Sequence, residues 1–195
     1  MTYETIIVDI SGHIATITLN RPDAMNSFTR KMMDECEHAW RHIAETDDIH
    51  CAVLRAAPGR AFSTGVDVKA AMQPGGSVMH DNIWTAEDPG EKLGPKSNRC
   101  WKPVICAVHG MAAGGAFYWI NESDIVICSE DATFFDPHVT YGMTAALEPI
   151  GATYRMPLGD VLRMALLGND ERISAHTALR LGLVTEVTPN ETLWD

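Results

Sequence analysis

The chain has 195 residues, 46% of them hydrophobic, which suits one compact domain with a substantial core and excludes a disordered chain. Its 15 basic and 26 acidic residues leave a net charge of −11, which argues against non-specific binding to nucleic acid or anionic membranes but permits an anionic small ligand at a local basic patch. Cys36, Cys51, Cys100, Cys106 and Cys128 are odd in number and lack C-x-x-C spacing, so we expect a reducing compartment, no disulfide framework and no metal site.

No apolar run approaches membrane-spanning length, and Met1-Thr2-Tyr3-Glu4 lacks a basic leader region; the expectation is a soluble, cytoplasmic protein. Ile6–Ile10 and His13–Leu19 read as two strands joined at Ser11-Gly12, a hairpin signal. Asn20-Arg21-Pro22-Asp23 ends the second strand. A helix follows from about Thr29 to Thr46, with Met32, Met33, Cys36, Ala39, Trp40 and Ile43 on its core face. Asp34, Glu35, Glu37 and Arg41 are expected on the opposite, polar face. Ile49–Arg55 reads as a third strand and Pro58–Val68 as loop. From Val68 to Lys102 the composition turns irregular, which fits either a binding loop or a surface excursion. Met72, Trp84 and Trp101 lie in or near it and either line a pocket or simply pack.

Val104–Val108 is a buried strand that runs into Gly110, Gly114 and Gly115, with a helix expected from Ala116 to Ile120. Free N–H groups at such a helix start can hold an anion or a developing oxyanion, although glycines also sit at strand–helix turns for steric reasons alone. Asp124–Cys128 and Ala132–Phe135 are extended, and Asp136-Pro137-His138 closes the second of them. Pro149 and Gly151 limit any helix in Met143–Tyr154. Helices are expected over Asp160–Leu167 and Ser174–Leu181, and a last strand over Leu183–Val187. Residues 1–195 read as a single α/β domain.

Four separated segments carry a resemblance. Asn20-Arg21-Pro22-Asp23-Ala24-Met25-Asn26-Ser27 is similar to an N-R-P-x-x-x-N signature. Arg60 to Lys69, with Phe62, Gly65 and Asp67, resembles an A-F-(S/A)-(A/T)-G-x-D-(L/I/V)-K loop. Val108 to Asp124 resembles a G-x-A-x-G-G helix start, and Arg172-Ile173-Ser174-Ala175 with Gly182-Leu183-Val184 resembles an R-I-S-A…G-L-V segment. In this order, across nearly the whole chain, they resemble the crotonase superfamily, the enoyl-CoA hydratase/isomerase family. The resemblance implies the crotonase (ClpP-like) fold of stacked ββα units, an acyl-CoA thioester substrate, and homotrimers or dimers of trimers. Coenzyme A enters as part of the substrate; no separate cofactor is expected. By position, the family's oxyanion hole falls on the backbone N–H groups of Val66 and Gly115. Ala24, Met25, Ala61, Thr64, Gly65, Asp67, Val68, Met111, Gly114, Pro137 and Gly142 fall where the family lines its substrate site.

The sequence also departs from the family pattern. Hydratases of this family use two glutamates, and those positions are held here by Tyr118 and His138. Water addition needs a placed base and acid. Tyrosine, with an ordinary pKa of about 10, is a poor base at neutral pH, whereas histidine at about 6.5 can serve as either. His138 is therefore expected as the main acid/base, unless it only satisfies a loop carbonyl. Tyr118 is expected in support as a hydrogen-bond donor. Glu148 is the expected partner carboxylate, preferred over Glu122. A histidine with a carboxylate at this distance is similar to the superfamily's β-diketone hydrolases, which cleave carbon–carbon bonds. A non-catalytic acyl-CoA-binding subunit is the third reading. His109 and His13 are expected to be structural. The family's C-terminal helical module, which would begin at about Thr188–Trp194, is expected to be missing or truncated.

Overall fold

The computed structural model describes residues 2–78 and 88–194; Trp84 lies outside the described residues. The opening hairpin forms as expected, β1 (Ile6–Ser11) against β2 (Ile14–Leu19), closed by the pair Ser11 and Ile14. The long helix α1 spans Arg30–Glu45, and Thr29 Oγ1 caps it by accepting from Met32 N at 3.3 Å. Its apolar stripe is buried as expected. Glu35 is not on the polar face: it is 0% exposed. Its carboxylate accepts from Glu4 N and Thr5 N, both at 2.9 Å, and from Thr5 Oγ1 at 2.6 Å, so it fastens the N-terminal segment to the helix. Three donors converging on a buried carboxylate offset its loss of water.

Three strand–strand–helix units follow. The first is β3 (Cys51–Ala56), β4 (Ala61–Ser63) and α2 (Val68–Ala71). After the short helix α3 (Gly90–Leu93) comes the second, β5 (Val104–Val108), β6 (Met111–Ala113) and α4 (Ala116–Glu122). The third is β7 (Ile125–Ser129), β8 (Thr133–Phe135) and, after a 3-10 turn at His138–Tyr141, α5 (Leu147–Ala152). The chain continues through α6 (Leu158–Leu167), β9 (Ile173–Ser174), α7 (Ala175–Leu181) and β10 (Glu186–Thr188).

Each unit sends its first strand to one sheet and its second to another. The larger sheet runs β1-β2-β3-β5-β7-β10, parallel except for the hairpin; the smaller runs β4-β6-β8-β9. Ile17, Leu54, Cys106 and Val126 align across four neighbouring strands and are all fully buried. Burying each of the larger aliphatic side chains contributes about 1.5–3 kcal/mol. The expected Pro58–Val68 loop thus contains a strand, and another intervenes between β5 and α4. Both are three residues long, too short for an alternating pattern, and exist because they pair with each other and, through β6, with β8. Two other expectations are corrected. Helices α2 and α3 form within the irregular 68–102 stretch. Pro149 and Gly151 lie inside α5, where Pro149 falls in the first turn and needs no helical N–H partner.

Candidate active site

The signature residues fold the loop that carries Val66. Asn26 is fully buried; its Oδ1 accepts from Arg21 N at 2.8 Å and its Nδ2 donates to Ala61 O at 2.9 Å. Ser63 Oγ donates to Asn26 O at 2.9 Å and accepts from Gly65 N at 3.2 Å, while Thr64 N donates to Met25 O at 3.2 Å. Arg21 Nη2 donates to Asp67 Oδ2 at 2.9 Å, and Asp67 Oδ1 caps α2 through Ala70 N at 3.0 Å. Burial opposes ionisation of Asp67, yet the Ala70 N–H and the Arg21 guanidinium hold its carboxyl below the ordinary range. Ala24, Met25, Ala61, Thr64, Gly65 and Asp67 all belong to these two bonded segments. The hydrogen bonds of these segments hold the loop itself in shape.

Gly65, at φ +80°, meets the glycine turn edge-on. A Cβ there would lie 2.9 Å from Gly115 N and 3.1 Å from Ala113 O, so only glycine permits the approach. This places the backbone on either side of Val66 against the start of α4. Among the described residues, neither the Val66 N–H nor the Gly115 N–H donates a hydrogen bond. Gly115 is walled by Phe28, whose Cε1 would lie 2.5 Å from a Cβ at that position. On the preceding residue, a Cβ at Gly114 would lie 3.4 Å from Pro137 Cδ and 3.8 Å from His138 Cε1. The imidazole therefore sits beside the same glycine turn as the two free amides.

His138 is held in a chain of acidic groups. Its Nδ1 donates to Asp136 Oδ1 at 2.6 Å, and its backbone N donates to the same oxygen at 3.0 Å. Asp136 is 0% exposed, and among the described residues its Oδ2 has no partner. On the other side, His138 Nε2 lies 3.6 Å from Glu148 Oε1. The bond to Asp136 raises the His138 pKa above its ordinary value, against the opposing effect of burial. Glu148 is 6% exposed, and burial pushes its carboxyl up despite the attraction of His138. Glu148 reaches the site because α5 closes on α4. A Cβ at Gly151 would lie 2.4 Å from Asn121 Nδ2, and that same nitrogen donates to Glu148 O at 2.8 Å.

Tyr118 projects from α4 into the same group. Its hydroxyl donates to Asp88 Oδ2 at 3.2 Å. Burial, then the Glu148 and Asp88 carboxyls beside it, push the phenol above its ordinary range, which excludes a phenolate at neutral pH. Behind it opens a cavity of about 460 Å³, with Asp88, Lys96, Tyr118, Glu122, Leu147 and Tyr154 on its walls. A groove of about 500 Å³ on the outer face of α1, against Asp34, His38 and His42, touches none of these groups.

The structure thus brings Val66, Gly115, Tyr118, His138 and Glu148 together, with Gly114 and Pro137 at the imidazole. Met111 pairs with Ala61 and Thr133 in the smaller sheet. Val68 opens α2 exposed, and Gly142 ends the 3-10 turn with nothing within 4 Å of a Cβ position. Glu122 is committed elsewhere, accepting from Ser97 N at 2.9 Å and from Ser97 Oγ. His109 packs edge-on to Trp194 at 5.7 Å, and His13 stacks on His50 at 4.1 Å, away from the site. Met72 and Trp101 are 78% and 74% exposed, so neither packs in the core. Among the described residues no cluster of histidine, cysteine or acidic groups is set to hold a metal. Two partners went unread in the sequence, Asp136 and Asp88. The D-P-H spacing was a usable signal for Asp136. Asp88-Pro89-Gly90 reads only as a turn.

A family model described as enoyl-CoA hydratase/isomerase matches residues 9–195. The chain is 32% identical over 192 residues to the (E)-benzylidenesuccinyl-CoA hydratase of Thauera aromatica, covering 97% of this chain and 72% of that protein. It is 30% identical over 207 residues to the 1,2-epoxyphenylacetyl-CoA isomerase of Escherichia coli K12, covering 98% and 72% respectively. The crystal structure of an enoyl-CoA hydratase/isomerase from Mycobacterium paratuberculosis superposes with a TM-score of 0.88 at 38% identity, covering 98% of this chain and 73% of that one. On sequence, fold and the placement of its glycine turn, the chain belongs to the enoyl-CoA hydratase/isomerase family of the crotonase superfamily.

Proposed function

We propose that this chain is an enzyme that forms and redirects the enolate of an acyl-CoA thioester. The observation that carries the reading is the His138 imidazole, bonded to Asp136 and lying beside the turn that bears the free Gly115 amide. Asp136 holds the Nδ1 proton, which leaves the Nε2 lone pair of the neutral imidazole for the substrate. His138 Nε2 takes a proton from the carbon next to the thioester. The C–H electron pair becomes a carbon–carbon double bond, and the carbonyl electrons move to oxygen. The Val66 and Gly115 N–H groups hold that oxygen, where one such donor is worth about 10²–10³ in rate. Glu148, whose burial favours its protonated form, returns a proton at the receiving carbon. Tyr118 orders the carboxyl through its hydroxyl.

The relatives named for hydration and isomerisation act on CoA thioesters, which supports the substrate class. A second reading has a specific support. With Tyr118 and His138 at the two glutamate positions, the His138–Asp136 pair can instead activate water against a 3-oxo group, cleaving a carbon–carbon bond. The titratable group around His138 weighs against a pure binding subunit. We further infer a homotrimer or dimer of trimers, supported by the exposed Ile150, Tyr154, Leu158, Leu162 and Leu166 on α5, α6 and the turn between them. The free cysteines among the described residues support a reducing, cytoplasmic setting; burial pushes Cys106 and Cys128 up to about 12.

The test is mass spectrometry of saturated, 2-enoyl and 3-oxo acyl-CoA thioesters and a cyclic β-diketone incubated with the protein. Gain of one water or an isotopically traced double-bond shift supports the first reading, and cleavage of the 3-oxo or diketone compound supports the second. His138→Ala should lose at least about 100-fold in turnover while retaining thioester affinity. Unchanged turnover in that variant would refute the role given to His138.

A further inference from the structure

Two amides that hold one oxygen must both point at it from hydrogen-bond distance. Val66 lies between β4 and α2, and Gly115 lies at the start of α4, so neither segment alone fixes their separation. Phe28, just before α1 and 2% exposed, touches both. Its main chain runs alongside Val66: Phe28 N donates to Gly65 O at 2.8 Å, and Asp67 N donates to Phe28 O at 2.9 Å. Gly65 O and the Val66 N–H belong to one planar trans peptide and so point in opposite directions. With that oxygen turned to Phe28, the Val66 N–H is turned away from it. The Phe28 ring meets the other amide's residue. A Cβ at Gly115 would lie 2.5 Å from Phe28 Cε1 and 2.9 Å from Cζ. The same ring stands edge-on to Trp119, one turn further along α4, with centroids 6.0 Å apart and planes at 86°. Trp119 is fully buried, so the ring is held from both sides.

We propose that Phe28 is a positioning residue for the oxyanion site: its main chain aims the Val66 N–H, and its ring seats the helix start that carries the Gly115 N–H. This rests on the oxyanion role proposed above for those two amides. The argument is geometric. Gly65 lets the two backbones approach, since its missing Cβ would lie 2.9 Å from Gly115 N. The Phe28 ring then fills the space on the other side of Gly115 and fixes where α4 comes to rest. A smaller side chain would leave the Val66 peptide bonded as before, because both of its bonds to Phe28 are main-chain. It would also open a gap into which the first turn of α4 can relax, since a packed core collapses partly into a vacated space. The Gly115 amide would then swing off the line to the carbonyl oxygen. Hydrogen bonds weaken steeply with misalignment, so the loss falls on the charge that develops during reaction.

The experiment is infrared difference spectroscopy of bound butanoyl-CoA labelled with carbon-13 at its carbonyl, in the wild type, Phe28→Leu and Phe28→Met. A carbonyl that accepts N–H hydrogen bonds loses double-bond character and stretches at lower frequency, so the band reports the two amides directly. Methionine keeps more of the ring's reach than leucine does, which provides a second variant should leucine unfold the protein. We expect the wild type to lower the stretch below its value in water, Phe28→Leu to return it part of the way, and Phe28→Met to fall between. Deuterium exchange at the α-carbon in D₂O should slow by about tenfold in Phe28→Leu at saturating thioester with KM little changed, less than the 10²–10³ of a donor removed outright. Ile17→Val, which thins the fully buried core of the larger sheet, should leave the stretch in place. A stretch that stays at its wild-type value in both Phe28 variants would overturn the proposal, even if exchange slowed, and so would an equal change in Ile17→Val. A wild type that leaves the stretch as it is in water would sink the oxyanion reading itself, and the role of Phe28 with it. A lowered stretch without exchange would sink only the enolate chemistry.

Discussion

Glu148→Gln should make the protein more stable and less active at once, with the stability gain confined to one side of a pH boundary. Glu148 is buried against His138 and Asp136, and its folded pKa is raised above the ordinary carboxylate value of about 4.5 by burial. A group whose folded pKa is raised binds its proton more tightly in the folded state. Its stabilising contribution is complete below the unfolded pKa and is lost as the pH rises through the folded one. Above that window the native state carries a buried charge it would rather not hold. Each unit of raised pKa costs about 1.4 kcal/mol there. Glutamine keeps the shape without the charge, so the variant should be more stable than the wild type at pH 8 and gain almost nothing at pH 4, below the unfolded value. For a chain of this length each kcal/mol moves Tm by about 2–4 °C. Paired thermal unfolding curves of the two proteins at the two pH values read the effect directly. Turnover should fall by about 10²–10⁴, the usual worth of a placed acid. An equal gain at pH 4 and pH 8, or a loss at pH 8, would refute the claim that Glu148 ionises at a cost.

Asp136→Asn removes the charge that raises His138, so the imidazole should titrate at lower pH by NMR, and turnover should drop by about 10²–10⁴ as the tautomer is released. An unmoved His138 titration would show that the 2.6 Å bond does not set its basicity. Gly115→Ala forces a methyl to within 2.5 Å of the Phe28 ring, which should cost about 1–3 kcal/mol of stability by overpacking and shift the amide expected to bind the oxyanion. Denaturant melts measure the first effect. Thioester turnover measures the second, with an expected loss of about 10²–10³.

Much of this protein is written locally. The hairpin at Ser11-Gly12, the apolar stripe of α1 and the β-branched run of β5 are statements about neighbours in the chain, and each forms as the pattern requires. The glycine turn and the four signatures were legible too, because they are fixed residue types at fixed spacing. Glu35 was misread for the same reason. A carboxylate at a helix position facing the N-terminal segment looks solvated until that segment arrives to donate three hydrogen bonds.

The sequence by itself determined the α/β architecture, the core and the two backbone segments that meet at Gly65 and Gly115. The tertiary structure alone decided what surrounds His138 and Tyr118. Asp136 is two residues from His138, but Glu148 reaches it only because Gly151 lets α5 close against Asn121, and Asp88 reaches Tyr118 only because the turn before α3 wraps the ring. Acidity and basicity depend on burial and on charges a few ångströms away. Those distances are set by how helices pack, which no spacing along the chain records.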